Sequence, residues 1–459
     1  MRIGHFVLPI LLVLATAITA WSQESSPTVV GNSAVKAAPL VPETPLNPPE
    51  AVVKGLTLAE ALALALKGNP TLAAFGEEIR ARDAAALQSG LLPNPDLAVE
   101  VENFAGKESL SGFDGAETTI ALSQLIELGG KRDKRRQVAT LEKDLAGWDY
   151  QGKKLEVLAA TAKAFIQVLV AQQRQALTEE LAQLSEKTLA AVAARVEAGK
   201  VPPLEQTRAQ VELAGARTEA GKAKRELETS RRRLAALWAA DRAEFTQVIG
   251  DLTALAPLPA EETFLELLNN NPDLARWSSE LEQRQASLSL ARAQAVPDLT
   301  LSFGVRNLQE SDSNALVAGI ALPLPLFNRN QGGIGQARAN LEKAHRERLA
   351  AETEVRTGFA EAWQGLSAAY LEASTLRDEI LPGAQSAFES AEFGYREGKF
   401  DFLQMLDAQR TLFGVKEQYL QALGAYHQSR TEVERLIGSP LHDVLYSSPQ
   451  TKSSVEVNQ

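Results

Sequence analysis

The chain has 459 residues, a formal net charge of -11 and no cysteine. The acidic balance speaks against a nucleic-acid partner, and the missing thiols exclude disulfides, thiolate metal sites, a cysteine nucleophile and an N-terminal lipid-modified cysteine. Four histidines without ligand spacing and two methionines give soft-metal chelation almost nothing to work with, so no metal site and no cofactor are assigned.

Arg2, the apolar run from Phe6 to Ile18 and the small residues Ala17, Ala20 and Ser22 read as a secretory signal peptide over 1–22. The run is shorter than the roughly 20 residues of a spanning helix, and no later stretch reads as apolar enough to span as one, so membrane insertion must use strands. Prolines 27, 39, 42, 45, 48 and 49 make 23–54 an extended lead-in. The first structured unit, 55–238, opens on Thr57 as a helix N-cap with Glu60 three residues on, a capping box. The helix breaks at Gly68-Asn69-Pro70 and resumes to Pro93.

Past Pro95 the period changes to two. Leu97, Val99 and Val101 alternate with Ala98, Glu100 and Glu102, and Thr118, Ile120 and Leu122 follow the polar stretch 104–115, which predicts a strand hairpin over 96–124. From 128 to 197 there is no proline, and apolar residues fall in steps of three and four, as in the seam of a coiled coil. Some 70 residues make a helix of roughly 100 Å. Gly199 ends it, and a return helix spans 203–238. The segment 239–262 is a linker.

The pattern then repeats over 263–437. Asn69-Pro70 recurs as Asn271-Pro272 and Pro95-Asp96-Leu97 as Pro297-Asp298-Leu299, 202 residues on; Ile120-Ala121-Leu122 recurs as Ile320-Ala321-Leu322 at 200, and Gly199-Lys200 as Gly398-Lys399 at 199. The chain is a duplication. Its second copy predicts a hairpin over 298–324 with a polar loop 307–314, a long helix 328–397 kinked at Pro382-Gly383, a return helix 401–437 and a disordered tail 438–459. The fold class is mainly α with a small β part. Each strand is about nine residues, near the 9–11 that cross a bilayer, and four strands are too few to close a barrel, so several chains must complete one.

Three stretches resemble the TolC-type outer-membrane efflux channels, and within them the CzcC-like branch associated with cobalt, zinc and cadmium export: Leu122-Ser123-Gln124 through Glu127-Leu128-Gly129-Gly130-Lys131-Arg132, then Ala321 through Asn328, and Tyr395 with Gly398, Leu406, Asp407, Ala408 and Gln409. The resemblance covers about Leu56 to Ile437. It implies a homotrimer with a twelve-stranded transmembrane β-barrel continued by an α-helical coiled-coil barrel. It implies two partners, a periplasmic adaptor and an inner-membrane, proton-driven RND transporter, with this chain a passive duct for divalent cations.

The resemblance places Asp407 at a constricted periplasmic entrance, where the family often has a second acid at the position of Gln404. It makes the turns at Gly199, Lys200, Gly398, Lys399 and Leu403 the adaptor-docking surface, although the two glycines are also plain helix C-caps. Glu100, Glu102 and Arg306 lie on the strand faces opposite the aliphatic residues and would line a barrel lumen, or form the wet face of a soluble sheet. Lys131, Arg132, Lys134, Arg135 and Arg136 oppose the macrodipole of the helix they begin and call for anionic company, which outer-membrane lipid head groups supply on the barrel reading. A solvated charge run is the alternative. Trp148, Trp238, Trp277 and Trp363 read as packing residues. No enzyme motif emerges. A drug or small-organic channel of the same family and a periplasmic coiled-coil adaptor are the competing functions.

Overall fold

The computed structural model describes residues 55–439 and 441; the expected signal peptide and lead-in, His442 and the rest of the tail lie outside the described residues. In chain order the elements are β1 (Leu56–Thr57), α1 (Leu58–Gly68), α2 (Pro70–Ser89), β2 (Asp96–Glu102), β3 (Glu117–Ile126), α3 (Lys131–Glu197), α4 (Pro203–Ala236), β4 (Val248–Ile249), the short α5 (Glu262–Leu265), α6 (Pro272–Ala293), β5 (Leu299–Leu308), β6 (Ser313–Ala321), α7 (Gln331–Thr375), α8 (Leu381–Arg396) and α9 (Phe402–Ile437).

The duplication is visible in how the helices are stapled. Asn69 ends α1 and caps α2, its side-chain oxygen accepting from Leu72 N–H, while its amide donates to Leu237 O at 2.8 Å. Asn271 does the same in the second copy: it caps α6 through Asp273 N–H and donates to Leu436 O at 2.9 Å. Each Asn-Pro pair thus starts a helix, Pro at the first helical position and Asn before it, and ties that start to the end of its own return helix.

α3 is 67 residues long and begins at Lys131 rather than 128, because Gly129 and Gly130 hold φ of +70° and +67°, a left-handed path that a right-handed helix does not include. Both long helices end in the same way. The N–H of Gly199 reaches Val196 O and that of Lys200 reaches Arg195 O; Gly398 and Lys399 repeat this on Tyr395 and Gly394. These are Schellman turns, with the glycine at the left-handed position. The expected helix 328–397 starts at Gln331 and is interrupted by a π-helical turn, Leu376–Ile380, just before Pro382. Proline supplies no N–H to the preceding turn, and the widened turn absorbs the mismatch.

One sequence expectation needs correcting. α3 contains a window long and apolar enough, by length and composition, to cross a membrane as a helix. In the same helix Phe165, Ile166, Val168 and Leu169 are buried against Leu56, Val248, Leu234 and Leu423, so protein covers that apolar face. A parallel pair, β1 with β4, brings the start of the first repeat against the inter-repeat linker, where Gln172 both accepts from Val248 N–H and donates to Val248 O. A second cluster stacks Phe264, Phe359 and Trp363 between α5 and α7, and a third packs Val192, Tyr395, Phe402 and Met405 beside the helix turns.

The four long strands form one antiparallel sheet in the order β2-β3-β5-β6. β5 and β6 run closer to their turn than expected, because Asn307 and Asn314 stay paired and their side chains bond at 3.1 Å. β2 stops at Glu102, where Asn103 turns to φ 57°.

Candidate functional site

The register sorts every strand residue onto one of two faces. Leu97, Val99 and Val101 lie beside Leu122, Ile120 and Thr118, which lie beside Phe303, Val305 and Asn307, which lie beside Ala318, Leu316 and Asn314. This face is apolar and open: Leu316 is 89% exposed, Ile320 75% and Phe303 65%. A contiguous apolar patch of this size on a protein surface marks a place where water is not the neighbour.

The opposite face carries the charges. Arg306 donates to Glu117 at 2.8 Å and to Thr119 Oγ1 at 2.9 Å, and pairs with Glu102 at 3.3 Å; Asn103 adds a 3.2 Å bond to Glu117. Glu102 and Glu117 face each other across β2 and β3, a like-charge pair that Arg306 relieves from β5. Glu100 lies on the same face and is exposed. The structure therefore brings Glu102 and Arg306 together and adds Glu117 and Thr119, which the sequence pattern did not single out.

At the strand-to-helix junction three of the five basic residues have protein partners. Lys131 is buried against Asp298, 2.7 Å from its carboxylate, which also accepts from Leu128 N–H at 2.9 Å. Arg135 grips both oxygens of Glu127 in a fork, and Lys134 donates to Gly129 O. The hydrogen bond from Arg135 holds the Glu127 carboxyl below its ordinary range. Burial acts to raise the Asp298 pKa, but the bonds from Lys131 and Leu128 outweigh it and the net shift is downward. Arg132 and Arg136 are exposed and have no ion-pair partner among the described residues.

At the helix turns Asp407 is exposed on α9. Gln404 completes a capping box with Asp401, whose side chain accepts from Gln404 N–H at 2.8 Å while Gln404 accepts from Asp401 N–H at 3.1 Å. One turn beyond Asp407, Arg410 forks onto Glu212 of α4, and that hydrogen bond raises its pKa. Nearby, Tyr395 Oη donates to Glu205 at 3.3 Å, and Arg195 donates to Tyr395 O with its guanidinium 4.5 Å over the ring. These contacts tie the end of one repeat to the end of the other. Lys200, Lys399 and Leu403 project beside them, all exposed.

Trp148 donates to Ser279 Oγ across α3 and α6, and Trp363 is buried, both in packing roles. Among the described residues no group of three or more His, Asp or Glu side chains is placed to hold a metal ion. His427 bonds Leu252 O instead, and burial lowers its pKa.

Residues 61–240 and 265–439 match the family described as outer membrane efflux protein, one match on each repeat. The chain is 36% identical to the cobalt-zinc-cadmium resistance protein CzcC of Cupriavidus metallidurans over 83% of its own length and 90% of that protein's. It is 28% identical to the nickel-cobalt-cadmium resistance protein NccC of Alcaligenes xylosoxydans xylosoxydans, over 63% of this chain and 64% of the other. Its fold is similar to that of CusC, described for its transmembrane channel formation, with a TM-score of 0.72 and 17% identity over 83% of this chain and 92% of that one.

Proposed function

Because this chain belongs to the outer membrane efflux protein family, and so forms an efflux duct of the outer membrane that reaches into the periplasm, we propose that three copies of it make the exit channel of a metal-exporting tripartite pump. The observation that carries the proposal is the sheet. It has one open apolar face, one charged face and two edges unpaired among the described residues, and in lipid such edges are tolerated only when the sheet closes on itself. Four strands from each of three chains give twelve, enough for a barrel with an aqueous lumen. Glu100, Glu102 and Arg306 then line that lumen.

The cargo follows from kinship. CzcC and NccC are both metal-resistance proteins, and the acidic lumen suits divalent cations. A duct of this kind needs no resident metal site. Energy coupling belongs to an inner-membrane RND transporter joined through a periplasmic adaptor, for which the turns at Gly199, Lys200, Gly398, Lys399 and Leu403 are the docking surface. Asp407 narrows the entrance, and Arg132 and Arg136 meet lipid phosphates at the periplasmic edge of the membrane.

Deleting the gene and challenging the strain with divalent metals and with hydrophobic drugs tests this reading. Sensitivity to cobalt, zinc or cadmium, reversed by the intact gene, is expected. Sensitivity confined to drugs would replace the metal cargo with an organic one.

A further inference from the structure

This inference rests on the barrel reading and concerns the line where copies meet. β2 and β6 are the outer strands of the sheet, each with a row of backbone groups turned away from its one neighbour. The duplication supplies a template for pairing them. The two hairpins have equivalent registers: Ala98 faces Ala121 in the first and Thr300 faces Ala321 in the second. Those residues are related by 202 on the leading strand and 200 on the returning strand, the offsets that relate Asp96 to Asp298 and Ile120 to Ile320.

The β3–β5 contact is the seam from the first repeat to the second. From β6 to β2 of the next copy, the seam runs from the second repeat to the first. We propose that this seam between copies reproduces the internal β3–β5 seam residue for residue. Applying the offsets to Leu122↔Phe303 and Gln124↔Leu301 sets Leu322 opposite Val101 of the partner subunit and Leu324 opposite Val99 of the partner subunit.

Two independent features fit that register. Leu322-Pro323-Leu324 keeps the apolar period of two beyond Ala321, the last residue that β5 pairs, before the chain turns where Leu326 N–H donates to Leu324 O, and both leucines are exposed, as are Val99 and Val101. Prolines in a strand belong at edges, where a missing N–H is tolerated. In addition, β2 ends at Glu102, and the register places its last residues, Val99 to Glu102, against Leu324 to Ala321. The competing arrangement sets the strand ends flush, with Asp96 against Ala321 and Val99 against Ala318. It keeps the same faces together, so hydrophobic patterning does not separate the two, and it leaves Leu324 without a strand on either side.

Disulfide trapping in native outer membranes reads the register directly, because the chain has no cysteine of its own. Within one chain β2 and β6 are separated by two strands, about 14 Å at the usual strand spacing, beyond the roughly 7 Å Cα limit for a bridge, so any link joins two copies. Under a mild oxidant, Val99→Cys with Leu324→Cys, and independently Val101→Cys with Leu322→Cys, is expected to convert the monomer band to a covalent trimer. Val99→Cys with Ala318→Cys, Ile320→Cys or Leu322→Cys is expected to leave it monomeric. Preferential linking at one of those three positions overturns the register and leaves the barrel standing. No link from any pair, in chains that still fractionate with the outer membrane, overturns the barrel reading as well.

Discussion

Replacing Arg306 with glutamine removes the positive charge that sits between Glu102 and Glu117, while keeping a donor for Thr119. In the proposed trimer the lumen loses three such charges. At about 10 Å from the axis, each interacts with a passing ion by about 0.4 kcal/mol in water, so the three together shift a monovalent ion's energy by about 1.2 kcal/mol, roughly eightfold in that ion's own permeability. Screening over about 8 Å cuts this to about twofold at physiological salt. The assay is the reversal potential of the purified channel in a planar bilayer under a salt gradient, measured at low and physiological ionic strength. Cation preference is expected to rise, and to rise more at low salt. An unchanged reversal potential at low salt, with conductance intact, would refute the placement of Arg306 in the lumen.

Asn271→Ala removes a helix cap and orphans Leu436 O at a site only 1% exposed, for about 2–3 kcal/mol; Asn69→Ala, at a less buried copy, is expected to cost about 1–2 kcal/mol, and thermal melting of the two variants checks the order. Glu127 and Asp298 have depressed pKa values in the folded chain, so their contribution is complete above their ordinary values near about 4 and is lost as pH falls below. Melting temperature against pH is therefore expected to drop less steeply in acid for Asp298→Asn than for the natural chain. Tyr395→Phe keeps the ring under Arg195 but removes the bond to Glu205, worth about 0.5–1 kcal/mol. Trypsin cleavage at Lys200 and Lys399 is then expected to quicken by roughly two- to fivefold in line with the open population, and equal rates would show that the contact does not close the turns. Burial lowers the His427 pKa, so the stability it supports is present above the ordinary value of about 6.5 and is lost as pH falls from there through its lowered folded-state value; His427→Gln is expected to flatten the melting curve between pH 7 and pH 5.

The features legible in the sequence were those fixed by local rules. The Asn-Pro pairs, the glycines that end the long helices and the strand alternation from Leu97 and from Leu299 each follow from one residue's backbone preference or a short period. What stayed hidden were contacts between repeats. Arg306 with Glu117, Tyr395 with Glu205, Arg195 with Tyr395 and Arg410 with Glu212 join residues 189, 190, 200 and 198 apart. Those separations lie close to the length of one repeat, so for Arg306 with Glu117 and Arg410 with Glu212 opposite charges at matching repeat positions were the available signal. The family pattern places Gln404 at the entrance. Its position three residues after Asp401 carries the capping-box signature that the structure displays. The apolar window of α3 is visible in composition alone, whereas its burial against Leu56, Leu234, Val248 and Leu423 is set by neighbours distant in sequence.

The central claim, that several copies of this chain together form one conducting duct, is tested most directly by extracting the protein from outer membranes in mild detergent, measuring its native mass and recording its conductance in a planar bilayer. A three-chain particle that opens stable ion-conducting steps is the expected result. A single-chain particle recovered from the soluble periplasm, with no conductance, would contradict it.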